Sequence, residues 1–170
     1  PGAVIAIGVL LVLTPVDRSL NDFAVAIGLD KHGLILTGTM TGLVYAYIVR
    51  FMAVGYNSVE SSMEKVTPNM EHAARTLGAR PTRVLFRVHL PLLSTGIAAG
   101  AILVFVDVMK ELPATLLLRP FGMDTLSIWT YFLAAEGFWQ AAAVPALTIL
   151  VVGLLPVFIL MRVGDNNAHV

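Results

Sequence analysis

Three ionisable residues stand close together at the end of a long apolar run: Asp107, Lys110 and Glu111. Their spacing of three and four residues would place Asp107 beside both of the others on one face of a helix. Ionisable groups at membrane depth are costly, and they usually pair with each other or line a water-filled path. Pro113 follows and should break the helix. We therefore predict that these residues line or gate a path through a membrane, with a solvated cap in the outer headgroup region as the alternative.

No other residues have the spacing of a catalytic or metal centre. The sequence contains no cysteine, and its histidines, at positions 32, 72, 89 and 169, show no metal-ligand pattern such as HExxH. A GxxxxGK[ST] phosphate-binding loop is missing, as is a recognisable serine–histidine arrangement, which argues against an intramembrane enzyme. We expect no catalytic residue, no metal site and no cofactor on this chain.

The composition indicates a membrane protein. The 170 residues are 57% hydrophobic and 13% charged, whereas soluble domains are about 25% charged. A spanning helix needs roughly 20 mainly apolar residues, and runs near 1–14, 34–56, 92–109 and 138–162 meet or approach that length. We predict an all-α integral membrane protein with a bundle of about four transmembrane helices, against the alternative of buried helices in a soluble protein. Because the chain starts without methionine, we expect residues 1–170 to be a fragment of one transmembrane domain.

The basic residues fall mainly on one side of these spans. Five of them lie in the loop 57–91, and Arg50 and Arg162 flank spans that would end on the same side. The positive-inside rule then makes the loop and the C-terminus cytoplasmic, with 110–136 facing outward. Arg50 would snorkel to the interface, and an interface helix is predicted at 125–135. The net charge of zero gives no reason to expect a nucleic acid partner. Because the spans are apolar, membrane lipid is the expected surrounding.

The loop 57–91 has the residues that begin and end a pair of short helices. Thr67-Pro68 supplies an N-cap and a proline at the first helical position. Gly78 should end that helix, and a second one would run from Pro81 until Pro91 closes it. From this pattern alone, the pair could equally be interfacial helices that anchor basic side chains at the headgroups.

The same loop carries a run of residues with a known spacing. Glu71 to Gly78, nine further residues and then Val88 to Pro91 resemble the cytoplasmic EAA loop of ABC importer permeases, whose form is E-A-A, three residues, G, nine residues, I-x-L-P. His72 stands where the family has its glutamate, and Glu71 lies one place earlier. The resemblance implies a type I importer permease fold with a coupling loop on the ATPase, formed by Glu71, Ala73, Ala74, Gly78, Arg83, Leu90 and Pro91.

This resemblance also implies a set of partners. They are a dimer of ATP-binding subunits that holds the ATP, a periplasmic or lipid-anchored substrate-binding protein, and another permease half, either fused or separate. The location implied is a bacterial or archaeal inner membrane with several crossings. A secondary transporter or channel subunit is the alternative, although neither would need the EAA spacing.

The cargo is expected to be ferric iron. The segment Val104 to Phe121 is similar to the segment after the loop in permeases of ferric-iron importers, and the fragment looks like most of the second half of such a permease. Permeases for thiamine and phosphonates share parts of the segment, so these cargoes are the alternatives.

Overall fold

The computed structural model describes residues 2–30 and 33–168, and within them the chain forms helices joined by turns and no strand. Pro1, part of the first predicted span, lies outside them, as do His32 and His169. The elements are α1 Gly2–Ala26, α2 Met40–Met63, α3 Pro68–Thr76, α4 Pro81–Val84, a π-helical segment Leu85–His89, α5 Leu90–Met109, α6 Pro113–Leu118, α7 Leu126–Ala135 and α8 Trp139–Ala168. The all-α fold class is confirmed, and a helix, α7, lies where the interface helix near 125–135 is predicted.

Three helices among the described residues are long and apolar enough to cross a membrane: Gly2–Ala26, Pro81–Met109 and Trp139–Ile159. The predicted span at 34–56 is not one of them. At about 1.5 Å per residue, the 24 residues of α2 are long enough for a bilayer core. Its composition is less apolar, because it carries three tyrosines, Arg50 and a polar end rich in serine.

The first helix is longer than predicted. Its apolar run ends near residue 14, yet α1 continues through Pro15 to Ala26. Asp17, which interrupts the apolar run, is 1% exposed. Its carboxylate accepts hydrogen bonds from the backbone N–H groups of Leu36 and Thr37, both at 2.8 Å. The helix continues past the charged residue because the turn before α2 supplies donors for the buried carboxylate.

The second helix of the loop does not end at Pro91 as predicted. The chain is helical without a break from Pro81 to Met109. Proline has no N–H group to donate and clashes with the preceding turn. The backbone adapts one residue earlier, because the N–H of Leu90 bonds to the carbonyl of Leu85, five residues back, within the π-helical segment. A π-bulge of this kind absorbs the defect without ending the helix.

The chain divides into two compact units, 1–50 with 107–155 and 51–106 with 156–170. In the first, a buried core joins α1, α2 and α6 through Ala6, Val9, Leu43, Ala46, Ala114 and Leu118. In the second, Gly96 on α5 is buried against Ser58 and Ser62 on α2. Small residues let transmembrane helices approach closely, and the helix packing within each unit uses such residues.

Candidate functional site

The helix α3 forms the first half of the predicted coupling loop. It begins at Pro68, and Thr67 occupies the N-cap position with extended backbone, but the Thr67 side chain makes no capping hydrogen bond. Glu71 and Arg75, one turn apart, form an ion pair at 2.5 Å. Both side chains are exposed by more than a third, so this pair stabilises α3 only slightly.

Gly78 ends α3 with the left-handed backbone that the sequence predicts. Its φ is +75°, where glycine alone avoids a steric cost. The N–H of Gly78 bonds to the carbonyl of Arg75 at 2.9 Å, and that of Ala79 bonds to the carbonyl of Ala74 at 3.1 Å. These two bonds form a Schellman motif, which turns the chain sharply toward α4. A Cβ on Gly78 would meet nothing within 4 Å, so the face of the turn is open.

The surface around this turn is partly apolar. Leu77 is 89% exposed and Phe86 is 64% exposed, while Ala73, Arg83, Leu90 and Pro91 are exposed and Ala74 is half-buried. Large exposed apolar side chains in a polar loop are consistent with a surface that binds another protein. Sequence reasoning missed Leu77 and Phe86, because an apolar residue within a helical pattern is normally assigned to a core.

The predicted charged cluster has a different arrangement from the one expected. Glu111 lies beyond the end of α5 and is 5% exposed. Its Oε2 lies 2.8 Å from Nη2 of Arg50 on α2. Arg50 is therefore paired with Glu111, and Glu111 is neither a solvated cap nor a neighbour of Asp107 on one helical face. The pattern of one helix could not reveal a partner that is 61 residues away in the sequence.

Hydrogen bonds hold Glu111 on every side. Its Oε1 accepts from the N–H of Ala114 at 3.1 Å. Its carbonyl oxygen accepts from the hydroxyls of Thr115 at 2.8 Å and Ser127 at 3.0 Å. Thr115 also shares a hydrogen bond with the hydroxyl of Tyr47 at 2.5 Å. The segment after α5 is thus joined to α2, α6 and α7 by one polar network.

Asp107 and Lys110 form the accessible part of the cluster. Lys110 Nζ lies 2.9 Å from Asp107 Oδ1, and the two side chains are 64% and 33% exposed respectively. The predicted pairing of residues 107 and 110 is confirmed. An exposed pair of this kind can exchange its partner for water, an ion or another polar group.

The geometry provides no metal centre in the part of the chain with described coordinates. No group of three or more histidine, aspartate or glutamate side chains is placed to hold an ion there. A cavity of about 210 Å³ lies beside Val108 and Met109, and its walls are mainly apolar. Its lining also includes the ion-paired side chains of Arg119 and Asp124.

The helical architecture and its apolar helices agree with a family match that covers residues 1–168. The matching family is described as "Binding-protein-dependent transport system inner membrane component". The chain belongs to this family. Its all-α structure, with three helices among the described residues long and apolar enough to cross a membrane, fits an inner-membrane component.

Several curated permeases are similar to this chain. The Fe(3+)-transport system permease protein FbpB 2 of Haemophilus influenzae is 31% identical over 71% of this chain and 24% of its own length. The putative 2-aminoethylphosphonate transport system permease protein PhnV of Salmonella typhimurium is 28% identical over 76% of this chain and 48% of its own length. The molybdenum transport system permease protein ModB of Mycobacterium tuberculosis is 33% identical over 59% of this chain and 35% of its own length. The chain spans less than half of each of these relatives.

Proposed function

We propose that the chain is part of the transmembrane subunit of an ABC importer, and that its loop 57–91 couples the permease to a separate ATPase. The observation that carries this proposal is the turn at Gly78. It combines a left-handed glycine, a Schellman motif and an open face with Leu77 exposed beside it. A secondary transporter or channel subunit would have no use for the EAA spacing in which this turn stands.

The loop has the physical properties of a docking element. Two short helices, α3 and α4, pack against each other on either side of the turn, and Val84 is 3% exposed. The two helices are therefore held by their own packing, while Arg83 and the exposed side chains of Leu77 and Phe86 remain accessible to a partner. Apolar anchors surrounded by charged side chains are typical of protein interfaces.

The importer needs several partners besides this chain. We propose a dimer of ATP-binding subunits, a periplasmic or lipid-anchored substrate-binding protein, and a second permease half, fused or separate. ATP is held by the ATPase, and this chain carries no cofactor. The loop and the C-terminus face the cytoplasm in this arrangement, and Asp107 and Lys110 border the translocation path.

Ferric iron is the proposed cargo. The support is the similarity to the Fe(3+) permease of Haemophilus influenzae. Similar permeases are named for 2-aminoethylphosphonate and for molybdenum, so these cargoes are the alternatives, together with thiamine. Uptake of radiolabelled ferric iron, phosphonate and molybdate, measured side by side with the cognate binding protein, distinguishes among them.

Gly78→Asp tests the coupling role. At φ +75°, a residue with a side chain is strained by roughly 1 kcal/mol or more, and a carboxylate would also project from the docking face. We expect the full-length permease to be inserted in normal amounts but to lose ATPase association and ATP-driven uptake. Co-purification of the ATPase and uptake into proteoliposomes measure the two effects.

Gly122→Asp is the matched control for that strain. Gly122 has φ +78°, and a Cβ there would also meet nothing within 4 Å, but it lies between α6 and α7 and outside the loop. We expect this variant to keep ATPase association and uptake. Arg83→Gln should be milder than Gly78→Asp, because an exposed ion pair contributes about 1 kcal/mol at most. Normal uptake by Gly78→Asp with the ATPase still bound would falsify the proposed coupling role.

A further inference from the structure

The buried pair of Arg50 and Glu111 differs in its structural role from the exposed pair of Asp107 and Lys110. Both side chains are largely removed from solvent, at 23% and 5% exposure, and their charged atoms are 2.8 Å apart. Burying two charges is expensive, and a single uncompensated charge costs more still. The arrangement therefore requires that both members are present together.

Glu111 has little capacity left for a transported solute. One carboxylate oxygen is 2.8 Å from Arg50, and the other accepts from the N–H of Ala114. The carbonyl oxygen accepts from two hydroxyl groups. Gly2 closes the remaining side, because a Cβ there would overlap Glu111 Oε1 and lie 2.8 Å from Nη1 of Arg50. A cargo ion could reach this carboxylate only by displacing Arg50 or Gly2.

The location of the pair connects it to the accessible charges. Only Lys110 stands between the last residue of α5 and Glu111, and α6 begins two residues later at Pro113. Glu111 thus fixes the break between the two helices, and the pair of Asp107 and Lys110 stands immediately before that break. Losing the buried pair would release the segment that presents the accessible one.

We infer that Arg50 is a positioning residue for transport, which holds Glu111 and the break between α5 and α6 in place through a buried ion pair. This inference rests on the proposed transport function and deepens it. Among the three charged residues at the end of α5, Asp107 and Lys110 border the path, whereas Glu111 acts through Arg50 and does not contact cargo. Transport then depends on neither charge at positions 50 and 111 being left without its partner, and not on the Glu111 carboxylate by itself.

A double-mutant cycle tests this inference. Arg50→Gln, Glu111→Gln and the double variant are made in the full-length permease and reconstituted with its ATPase and cargo-loaded binding protein. We expect each single change to lower the maximal uptake rate about tenfold or more, because it leaves one buried charge without its partner. The KM for the loaded binding protein should stay unchanged, and more ATP should be hydrolysed per cargo. The double variant should recover most of the rate.

Two further variants make the test specific. Arg119→Gln removes an arginine that pairs with Asp124 in the same unit, where the side chains are more exposed, at 27% and 35%. Uptake should stay within about twofold of wild type, since exposed pairs contribute little. Arg50→Lys keeps the charge and should retain more uptake than Arg50→Gln. Uptake rates are divided by the amount of permease inserted in the membrane, so that variants that insert in smaller amounts can still be compared.

The outcomes separate this inference from the proposed function. Failure of the wild-type protein to take up cargo with ATP contradicts the proposed function itself. Wild-type uptake with an unaffected Arg50→Gln variant overturns only the role of Arg50. The role of Arg50 is also overturned if the loss of uptake in the double variant equals the product of the two single losses. The same holds if Glu111→Gln raises the KM and Arg50→Gln does not. In those cases Glu111 would act on the cargo independently of Arg50.

Discussion

Asp17 illustrates how one buried charge is made compatible with a membrane helix. It is 1% exposed, and its carboxylate accepts from three backbone N–H groups, those of residues 35–37, and from the hydroxyl of Thr37. Successive N–H groups that converge on one anion form a concave site of partial positive charge. Asp17 thus fixes the turn before α2, which is a structural role that sequence reasoning did not assign.

Asp17→Asn should destabilise the protein. The amide would direct an NH2 group at donors that now bond to a carboxylate, and an unsatisfied buried polar group costs about 1–3 kcal/mol. We expect a lower midpoint of thermal unfolding in detergent, measured on the purified full-length permease. Asp22→Asn is the matched control on the same helix, where the side chain is exposed, and it should change stability by no more than about 0.5 kcal/mol. Equal midpoints for the two variants would contradict this role for Asp17.

At the level of elements, α2 and α5 pack through small residues. Gly96 and Gly100 are buried, and a Cβ on Gly96 would lie 2.6 Å from both the Ser62 Cβ and the Ser58 carbonyl oxygen. A backbone oxygen cannot move aside as a side chain can. The distance between these two helices is therefore set by glycine.

Gly96→Ala should separate α2 from α5 and lower stability by about 1–3 kcal/mol, as overpacking does. Thermal unfolding in detergent and the amount of inserted protein measure the effect. Gly8→Ala on α1 is the control, because a Cβ there would meet nothing within 4 Å, and alanine favours a helix over glycine. If Gly96→Ala proved as stable as Gly8→Ala, the close approach would not be a constraint on these helices.

At the level of the whole molecule, the topology depends on whether α2 crosses the membrane. Its polarity does not exclude a crossing, because Arg50 and Tyr47 are paired with Glu111 and Thr115. With α2 as a fourth crossing, the turn at residues 35–37 and the loop 57–91 fall on opposite sides. With only three crossings they would fall on the same side, and α5 would still separate the loop from the segment 110–136.

Single cysteines in this cysteine-free sequence test on which side of the membrane the loop 57–91 lies. Ser62 and Ser127 are unsuitable positions because they are 5% and 8% exposed. Thr76 is exposed in the loop, and Phe121 is fully exposed in the outer connection. We expect an impermeant thiol reagent added to intact cells to label Phe121→Cys and not Thr76→Cys, with both labelled after lysis. Labelling of both from outside would rule out a cytoplasmic loop.

The sequence by itself determined the features that depend on local pattern. Apolar runs predicted helices long enough for a membrane, the spacing around Gly78 predicted a helix ending in a left-handed glycine, and Pro113 predicted the break after α5. Each follows from periodicity, from φ preference or from a missing N–H group, all of which act over a few residues. The EAA spacing is likewise a pattern within one segment, and it indicated an ABC permease.

Only the tertiary structure decided which polar groups meet. Arg50 resembled an interfacial residue and Glu111 a neighbour of Asp107, until the fold brought the first two within 2.8 Å. The first predicted span ends near residue 14, yet the turn at residues 35–37 bonds to Asp17 and lets the helix continue. The free energy of a buried charge depends on donors and partners far away in the sequence, so the pattern of one segment cannot reveal it.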